Sequence, residues 1–392
     1  MIDKDTHPSS THPPLPPTSE DDQFSRLRLL RSRRVGIATY KRLLAEHGTA
    51  QNALAALPEV ARAAGVESYE VCPEAVIQAE LNAARIAGAR LVVQNTPAYP
   101  SALDEIEDAP PFLWAIGDTD LLQRPMISLV GARNASSVGT RMARALARDL
   151  GTAGYVVVSG LARGVDAAAH LSSIETGTVA VQAGGVDVIY PAENAQLAQS
   201  IAQKGLRISE QAMGVQPVAR HFPSRNRIIS GLSRATIVVE AASKSGSLIT
   251  ARDALDQGRD VFAVPGNPFD ARAAGCNQLI RDGAILIRSA SDAIEAISPF
   301  GGQQTEAIST ASTGESANRD RTSGQLESAK KRLRRVASLH REILSRLSPA
   351  PVAEDQLIRD LAVSPSEAAS VLVELEMDGE ITRQSGGLIS RD

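Results

Sequence analysis

The segment Phe222-Pro-Ser-Arg225-Asn226-Arg227 places two arginines and an asparagine just after an aromatic residue and just before an apolar helical pattern. Arginine forks bind phosphate with paired hydrogen bonds and stack on base planes. An exposed aromatic ring can stack a nucleobase, and the free N–H groups at a helix start attract an anion. The same residues would also suit a surface helix with two solvated arginines. The segment therefore indicates a phosphate or nucleic-acid site without deciding the matter alone.

Three further segments are rich in glycine and hydroxyl residues, and each follows an apolar run. They are 131–139, 159–166 and 243–250. The first offers glycines, hydroxyls and Arg133 before a helix, which suits a phosphate. It lacks the G-x-G-x-x-G spacing, and no acidic residue stands at the distance of a ribose contact. Dinucleotide binding is therefore disfavoured.

The second segment contains Ser159, and Asp166 and His170 follow it one helical turn apart. A nucleophile of the Ser-His-Asp type is disfavoured because Ser159 lacks the G-x-S-x-G elbow. We expect Asp166 and His170 to cap the helix and order the loop instead. The third segment supplies small residues that let a backbone approach closely, although an ordinary turn with a serine cap would do the same. Since no paired catalytic carboxylates or metal-ligand spacing accompany these loops, we expect binding without a metal or cofactor.

Strands and helices alternate through the middle of the chain and would bring the four segments together. The apolar strand-like runs are 127–130, 155–158, 179–181, 237–239, 261–264 and 285–287. Such runs, separated by amphipathic helices, indicate a parallel sheet covered on both faces. We predict an α/β fold with a Rossmann-like doubly wound parallel sheet, whose ligands sit beyond the carboxyl ends of the strands. Four arginines should converge on that edge: Arg133, Arg163, Arg225 and Arg227.

Net charge, cysteine content and hydrophobic patterning limit the functions and the cellular locations that the chain can have. The 392 residues carry a net charge of −4, so a nucleic-acid site would have to be a local basic pocket on a mildly acidic protein. Cys72 and Cys276 lie far apart without a C-x-x-C spacing, which indicates a reducing compartment and no metal cluster. No transmembrane run or signal peptide is evident. We therefore expect a cytoplasmic protein that does not enter a membrane.

Composition shifts divide the chain into five predicted parts. They are a disordered tail at 1–22, a small helical (SAM-like) domain at 23–85, an extended Rossmann-like domain at 86–297, a linker at 298–330 and a winged-helix domain at 331–392. Within the helical domain, residues 35–37 separate two helices. Plain helix packing is favoured there over a helix-hairpin-helix element.

The C-terminal part has the pattern of a winged helix. Helices are expected at 339–347 and 353–362, and a capping box at 364–367 opens a third. Strands at 380–383 and 388–390 would form the wing. The third helix contains only acidic charges: Glu367, Glu374, Glu376 and Asp378. A helix that reads DNA should be basic, so we expect this module to contact protein, although Arg383 and a basic run at 330–335 could reach DNA.

Six motifs in order give the chain a resemblance to the DprA family (DNA-processing protein A, also called Smf). The motifs are Gly131-Ala-Arg133, Ser159-Gly160-Leu-Ala-Arg163-Gly164-Val-Asp166-Ala-Ala-Ala-His170, Tyr190-Pro-Ala-Glu-Asn194, Phe222-Pro-Ser-Arg225-Asn226-Arg227-Ile-Ile, Ser245-Gly246-Ser-Leu-Ile-Thr250 and Val264-Pro-Gly266. They fall within residues 100–290. The helical domain in front and the winged helix behind also match the family's layout.

This resemblance implies a non-catalytic protein that binds single-stranded DNA, protects incoming DNA and loads the recombinase RecA during natural transformation. It also implies a homodimer formed through the Rossmann-like domain, a DNA contact by Arg133 and a pocket shaped by the 222–227 segment. The residues expected to bind DNA are Gly131, Arg133, Ser159, Gly160, Arg163, Gly164, Asp166, Phe222, Arg225, Asn226, Arg227, Ser245 and Gly246. Stacking combined with arginine–phosphate contacts favours unpaired strands without a base code.

Two other functions remain as alternatives. Rossmann-like relatives of the lysine-decarboxylase-like type hydrolyse nucleoside phosphates and carry a P-G-G-x-G-T loop followed by a glutamate. The equivalent segment here, 243–250, lacks that motif. A sequence-specific regulator acting through the winged helix is opposed by the acidic third helix.

Overall fold

The computed structural model describes residues 19–297 without a gap and short runs near the C-terminus. Those runs are 339, 343–347, 352–361, 368, 371–372, 375–376, 380–384 and 388–391. The predicted linker at 298–330 and the basic run at 330–335 lie outside the described residues. Most of the predicted tail at 1–22 also lies outside them, but its last four residues are helical.

Four helices precede the sheet: α1 (Ser19–Arg31), α2 (Ile37–His47), α3 (Ala50–Ala63) and α4 (Glu74–Ala87). Gly36 is the N-cap residue of α2 and separates it from α1 by a short turn. Thr49 caps α3 by accepting a hydrogen bond from the backbone N–H of Asn52. Leu27 and Leu43 are fully buried, so the apolar faces that predicted these helices pack inward.

A sheet of nine strands follows. Its strands are β1 (Arg90–Val93), β2 (Phe112–Gly117), β3 (Met126–Val130), β4 (Val156–Ser159), β5 (Thr178–Val181), β6 (Leu206–Ser209), β7 (Ala235–Val238), β8 (Asp260–Ala263) and β9 (Ile285–Leu286). Their spatial order is β1-β2-β6-β5-β4-β3-β7-β8-β9. The pairs from β6 through β9 are parallel, whereas β1 and β2 are antiparallel additions. This confirms the predicted doubly wound sheet.

The sheet's helices are α5 (Ser101–Asp104), α6 (Ser137–Thr152), α7 (Val165–Ser173), α8 (Ala195–Lys204), α9 (His221–Gly231), α10 (Ser247–Asp256), α11 (Ala274–Arg281) and α12 (Ala290–Ile297). Both faces of the sheet are covered. In β4, Val156 and Val158 join one apolar cluster and Val157 joins the other. Burial on both faces explains why these strands are continuous apolar runs in the sequence. None of the helices described is long and apolar enough to cross a membrane.

The chain changes direction at β3. Strand β4 lies on one side of β3, and β7, reached only after β6, lies on the other. The loops after β3 and β7 therefore diverge at the carboxyl edge of the sheet. Open α/β sheets bind ligands in the crevice that such a switch leaves.

Strand β1 matches a short strand-like run that the sequence shows at 90–93, whereas strands β2 and β6 were not predicted. The segment before β2 contains Pro110 and Pro111, which made the region look like a loop. Strand β6 has only four residues, and Arg207 interrupts its apolar pattern although that arginine is only 7% exposed. A run that is short and carries a charge gives no usable periodicity.

The C-terminal module contains a three-stranded sheet of order β10-β12-β11. Its described elements include β10 (Val352–Ala353), α13 (Glu354–Leu361), β11 (Ile381–Gln384) and β12 (Leu388–Arg391), and residues 343–346 are also helical. Ile381 and Ile389 are buried, and the β11–β12 pair matches the predicted wing. The capping box at 364–367, Glu374, Asp378 and the side chain of Arg383 lie outside the described residues.

Candidate functional site

Two pockets lie side by side at the carboxyl edge of the sheet. The small pocket, about 310 Å³, is bounded by the loops after β4 and β5 and by the start of α9. The large pocket, about 590 Å³, occupies the crevice between the loops after β3 and β7. Four residues line both pockets: Arg133, Ala162, Phe222 and Arg225. Residues from three of the four predicted segments thus form a shared partition, and the fourth segment closes the large pocket.

The exposed part of this partition is a stack of an aromatic ring and a cation. The Cζ atom of Arg133 lies 5.2 Å from the centroid of the Phe222 ring. The Tyr190 ring also contacts Phe222, with 5.8 Å between the ring centroids and an interplanar angle of 60°. Arg133 is exposed and Tyr190 is half-exposed. The stack presents both ring surface and positive charge to solvent, which are the groups that bind unpaired bases and phosphates.

Helix α9 contains the whole 222–227 segment, which the sequence placed just before the helical pattern rather than within it. Pro223 stands at the third helical position, where its missing N–H is not needed by the helix. The first turn of α9 contains no acidic residue. Phe222 is therefore held at the start of a rigid element, rather than on a loop.

Arg225 reaches the predicted edge as a buried group rather than a solvated one. It is 6% exposed, and its Nη1 donates to the carbonyl oxygens of Gly160 at 2.6 Å and Val181 at 2.7 Å. Those carbonyls lie at the ends of β4 and β5, so Arg225 fastens α9 to the sheet. Burial lowers the pKa of Arg225 to about 10, with Asp166 acting against the shift. The guanidinium therefore stays charged at neutral pH.

Asp166 orders the loop after β4, as expected. Its Oδ2 accepts hydrogen bonds from the backbone N–H groups of Gly160 at 3.1 Å and Ala162 at 3.3 Å. Burial raises the pKa of Asp166, whereas the Arg225 charge lowers it. At the end of this loop, Gly164 adopts a φ of +73°, and a Cβ there would collide with the backbone of the β3 loop. The two loops therefore pack in contact.

Ser159 and His170, two residues of the rejected catalytic triad, are hydrogen-bonded to different partners. Ser159 Oγ donates to the carbonyl of Leu129 at 2.6 Å. His170 Nδ1 lies 2.7 Å from Thr178 Oγ1, whose own proton goes to the carbonyl of Val157, so this hydrogen-bond network assigns the proton to His170 Nδ1. Burial lowers the pKa of His170 to about 3. The neutral histidine is thus bonded to β5, away from the serine it would have to activate.

The N-terminus of α6 is filled by the protein's own carboxylate. Glu240, only 7% exposed, accepts hydrogen bonds from the backbone N–H of Ser136 at 3.1 Å and from its hydroxyl at 2.8 Å. Arg272 Nε lies 3.4 Å from Glu240 Oε1. The sequence predicted a phosphate at this helix start. The structure corrects that prediction because an internal anion already occupies the position.

Arg227 does not join the other three arginines. Its Nη2 donates to Glu210 at 2.6 Å, and its Nε lies 3.0 Å from Asp108. It is absent from the linings of both pockets. The predicted convergence therefore holds for Arg133, Arg163 and Arg225 but fails for Arg227.

The other expected residues divide between the pockets and their support. Arg163, exposed and 3.6 Å from Glu193, lines the small pocket, while Asn226 lines the large one. The large pocket also includes Gly131, Asp166, Ser245 and Gly246. Ser159 and Gly164 line neither pocket. Gln182 and Arg272 also line the pockets but were not predicted, since single polar residues on loops carry no periodic signal. Lys244, another lining residue, lies in the predicted segment 243–250.

Three family models match the chain. "DNA recombination-mediator protein A" covers residues 90–298, "DprA-like N-terminal HHH domain" covers 20–83 and "DprA winged helix domain" covers 327–387. The second match overturns the preference for plain helix packing over a helix-hairpin-helix element around residues 35–37.

Relatives of known identity give the same result. The DNA processing protein DprA of Streptococcus pneumoniae is 45% identical over a match that covers 50% of this chain and 70% of that protein. The DNA processing protein DprA of Bacillus subtilis is 44% identical over 58% of this chain and 77% of that protein. The X-ray structure of the Streptococcus pneumoniae protein has a TM-score of 0.54 at 40% identity, covering 57% of this chain and 77% of that one. The structure of DNA processing protein A from Helicobacter pylori, which is described for its single-stranded DNA binding mode, has a TM-score of 0.50 at 31% identity. The match covers 54% of this chain and 97% of that one.

Proposed function

Because the chain belongs to the DNA recombination-mediator protein A family, also called DprA or Smf, we propose that it binds single-stranded DNA at the two pockets beside Phe222. The observation that carries this proposal is the partition itself, in which Arg133 lies over the Phe222 ring between two cavities. A strand that crosses the partition can stack a base on the ring and place a phosphate beside the guanidinium. Single-stranded DNA binding is stated of the Helicobacter pylori relative.

Selectivity for unpaired DNA follows from the same geometry. Base stacking on an aromatic side chain requires that the base leave its own stack, which a duplex allows only at a cost of a few kcal/mol. Arg163 and Lys244 add charge on either side of the partition. These cations bind backbone phosphates without reading sequence. The local charge therefore attracts DNA although the chain as a whole carries −4.

The experiment is a fluorescence-anisotropy titration of one labelled single strand and its matching duplex across a range of salt concentrations. We expect tighter binding of the single strand and a linear loss of log affinity with log salt. Equal affinity for both DNAs, or no binding by the folded protein, would refute the proposal.

We infer that the protein acts without catalysis. This inference is supported by Ser159 and His170, which are bonded to separate backbone and side-chain partners. The nucleotide-hydrolase alternative gains no support from Glu240, because that carboxylate already binds Ser136 and Arg272. Release of phosphate from nucleoside monophosphates by the purified protein would contradict the inference.

We further propose that the protein protects incoming DNA and loads RecA onto it during natural transformation. A recombination mediator, the role named in the family description, must pass its strand to a recombinase. The test is the rate of RecA filament formation on single strands covered by single-strand-binding protein. The parent should shorten the delay and the Arg133→Ala variant should not.

Homodimer formation through the Rossmann-like domain is the remaining part of this proposal. Strand β9 is a two-residue edge strand, and Leu286 on it is 43% exposed. Edge strands with exposed apolar residues are common points of association. Light scattering of the parent and of a Leu286→Glu variant would test it, and equal masses would exclude this edge as the interface.

A further inference from the structure

Phe269 is the most exposed large apolar side chain in the part of the chain that the structure describes, with 98% of its surface open to solvent. A single exposed apolar residue is common on protein surfaces. A fully exposed aromatic ring is more unusual in this chain, where aromatics make up 3% of the residues. The ring lies between β8 and α11, in the loop at 264–273.

Hydrogen bonds hold this loop in place around the ring. The backbone N–H of Phe269 donates to Asn267 Oδ1 at 3.0 Å. At the start of the loop, Gly266 exchanges two hydrogen bonds of 3.1 Å with the side chain of Asn277 on α11. The loop is thus attached at its base, and the ring is displayed on a supported backbone.

The loop lies at the same edge of the sheet as the candidate site. It follows β8, which is parallel to β7 and adjacent to it, so both strands direct their following loops to the carboxyl edge. Three residues after Phe269, Arg272 lines the large pocket. The large pocket is therefore bounded by Phe222 on α9 and, through Arg272, by the loop that carries Phe269.

Charge around Phe269 is nearly balanced. Asp270 Oδ2 lies 2.9 Å from Arg272 Nη2, and Arg272 also contacts Glu240. A phosphate would find little net attraction on this loop. A flat, uncharged surface is a better match for the open ring, and a nucleobase is such a surface.

We propose that Phe269 stacks a base of the single strand where the strand leaves the large pocket, so that the binding path extends across the loop between β8 and α11. This inference rests on the proposed function. Because the contact is made by stacking rather than by charge, its contribution to affinity should not change with salt, unlike that of Arg133.

A tryptophan at position 269 provides a direct probe. The chain contains one tryptophan, Trp114, which is 2% exposed. In a Phe269→Trp variant, base stacking should therefore quench a new, solvent-exposed emission against a constant background. The probe is a series of oligothymidylates from about 4 to about 16 nucleotides long. We expect the longest of them to quench the new emission, whereas the shortest should fill only the pockets and leave the emission unchanged. A Leu171→Trp variant, on the exposed side of α7, is the control that should not be quenched.

Affinity measurements complete the test. Phe269→Ala and Phe269→Leu should both weaken long oligonucleotides by about five-fold or more, with an unchanged salt slope and unchanged binding of the shortest oligonucleotide. Full affinity of Phe269→Leu would show that the site needs an apolar group rather than a ring and would overturn stacking. A change in mass by light scattering, without a change in DNA affinity, would assign the ring to self-association and overturn the proposal as well.

The outcomes separate this inference from the proposed function. If the parent binds single strands and Phe269→Ala binds every length equally well, only the inference about Phe269 fails. If the parent binds no single strand, the proposed function fails first.

Discussion

Nη1 of Arg225 occupies the space in which residue 160 would carry a Cβ atom, so Gly160 and Arg225 fit together only because residue 160 is glycine. The same nitrogen donates to the Gly160 carbonyl. The end of β4 and the side chain of α9 are therefore in direct contact, with no room for a methyl group between them. This contact sets the position of α9 and hence that of Phe222.

Gly160→Ala should consequently destabilise the protein. Displacing the guanidinium would break its hydrogen bonds to the carbonyls of Gly160 and Val181, and losing a buried hydrogen bond from a charged group costs about 1.5–3 kcal/mol. Thermal or urea unfolding would measure the loss. Gly246→Ala is the matched control, because a Cβ there meets nothing within 4 Å and its backbone φ of −59° suits any residue. Equal stability of both variants would show that Arg225 can move without cost.

Arg133→Ala should weaken single-strand binding without affecting the fold. The side chain is exposed, so its loss should change stability by no more than about 0.5 kcal/mol. Removing one phosphate contact should reduce the slope of log affinity against log salt by about 1. Arg148→Ala, 66% exposed near the far end of α6, should leave both quantities unchanged. If the salt dependence of binding by Arg133→Ala has the same slope as that of the parent, the phosphate contact lies elsewhere.

Asp253 predicts a pH dependence of stability. Burial raises its pKa from 3.8 to about 7, with Asp256 and Asp108 adding to the shift and Arg227 opposing it. Because the pKa of Asp253 is higher in the folded state than in the unfolded state, protonation of its carboxyl stabilises the fold. This contribution to stability is complete below pH 3.8 and is lost as the pH rises through about 7. Asp253→Asn should remove this loss and exceed the parent's stability above pH 7, by roughly 1–4 kcal/mol.

Urea unfolding of the parent and of Asp253→Asn between pH 5 and 8 would test the predicted pH dependence. His170 also contributes to stability in a pH-dependent way, but its contribution is the same in both proteins and cancels when their unfolding free energies are subtracted. His170 itself acts in the opposite sense. Its depressed pKa of about 3 means that its stabilisation is present above 6.5 and is lost as the pH falls. A constant difference between parent and Asp253→Asn across the range would contradict the assignment to Asp253.

Removing residues 330–392 should leave most single-strand affinity intact. Every lining residue of the two pockets lies between Val130 and Arg272, and none belongs to the C-terminal module. Anisotropy of the truncated chain would measure the effect. A collapse of binding would instead assign the DNA contact to the winged helix or to the basic run before it.

The fold was predictable because burial on both faces of the sheet leaves a continuous apolar signal in each of its central strands. The error at Arg227 has a simple origin. Residues two apart on a helix point about 200° from one another, so Arg225 and Arg227 cannot both face the sheet edge. Because the sequence placed this segment just before the helical pattern, the helical constraint did not enter the prediction. The sequence identified the right residue types, but only the helical geometry of α9 assigns them to opposite sides.

Contacts between distant parts of the chain were beyond sequence reasoning. The loop after β3 has the glycines and hydroxyls of a phosphate site, yet Glu240, 104 residues away from Ser136, occupies its helix start. The residues around 131–139 give no indication that a distant carboxylate binds there. The aromatic–cation contact of Phe222 and Arg133 also joins two separate segments. The sequence predicted that both segments lie at one edge of the sheet, but it did not predict this contact.

The carboxylate of Glu240 has a consequence for how the protein would behave among metabolites. An anion that is part of the chain cannot be diluted away, and displacing it would leave it buried without its hydrogen-bond donors. Free mononucleotides and dinucleotides should therefore find no vacancy at the position where related sheets hold a pyrophosphate. We therefore expect no nucleotide phosphate to bind at the start of α6, whereas the two pockets beside Phe222, which Glu240 does not line, remain open to a strand.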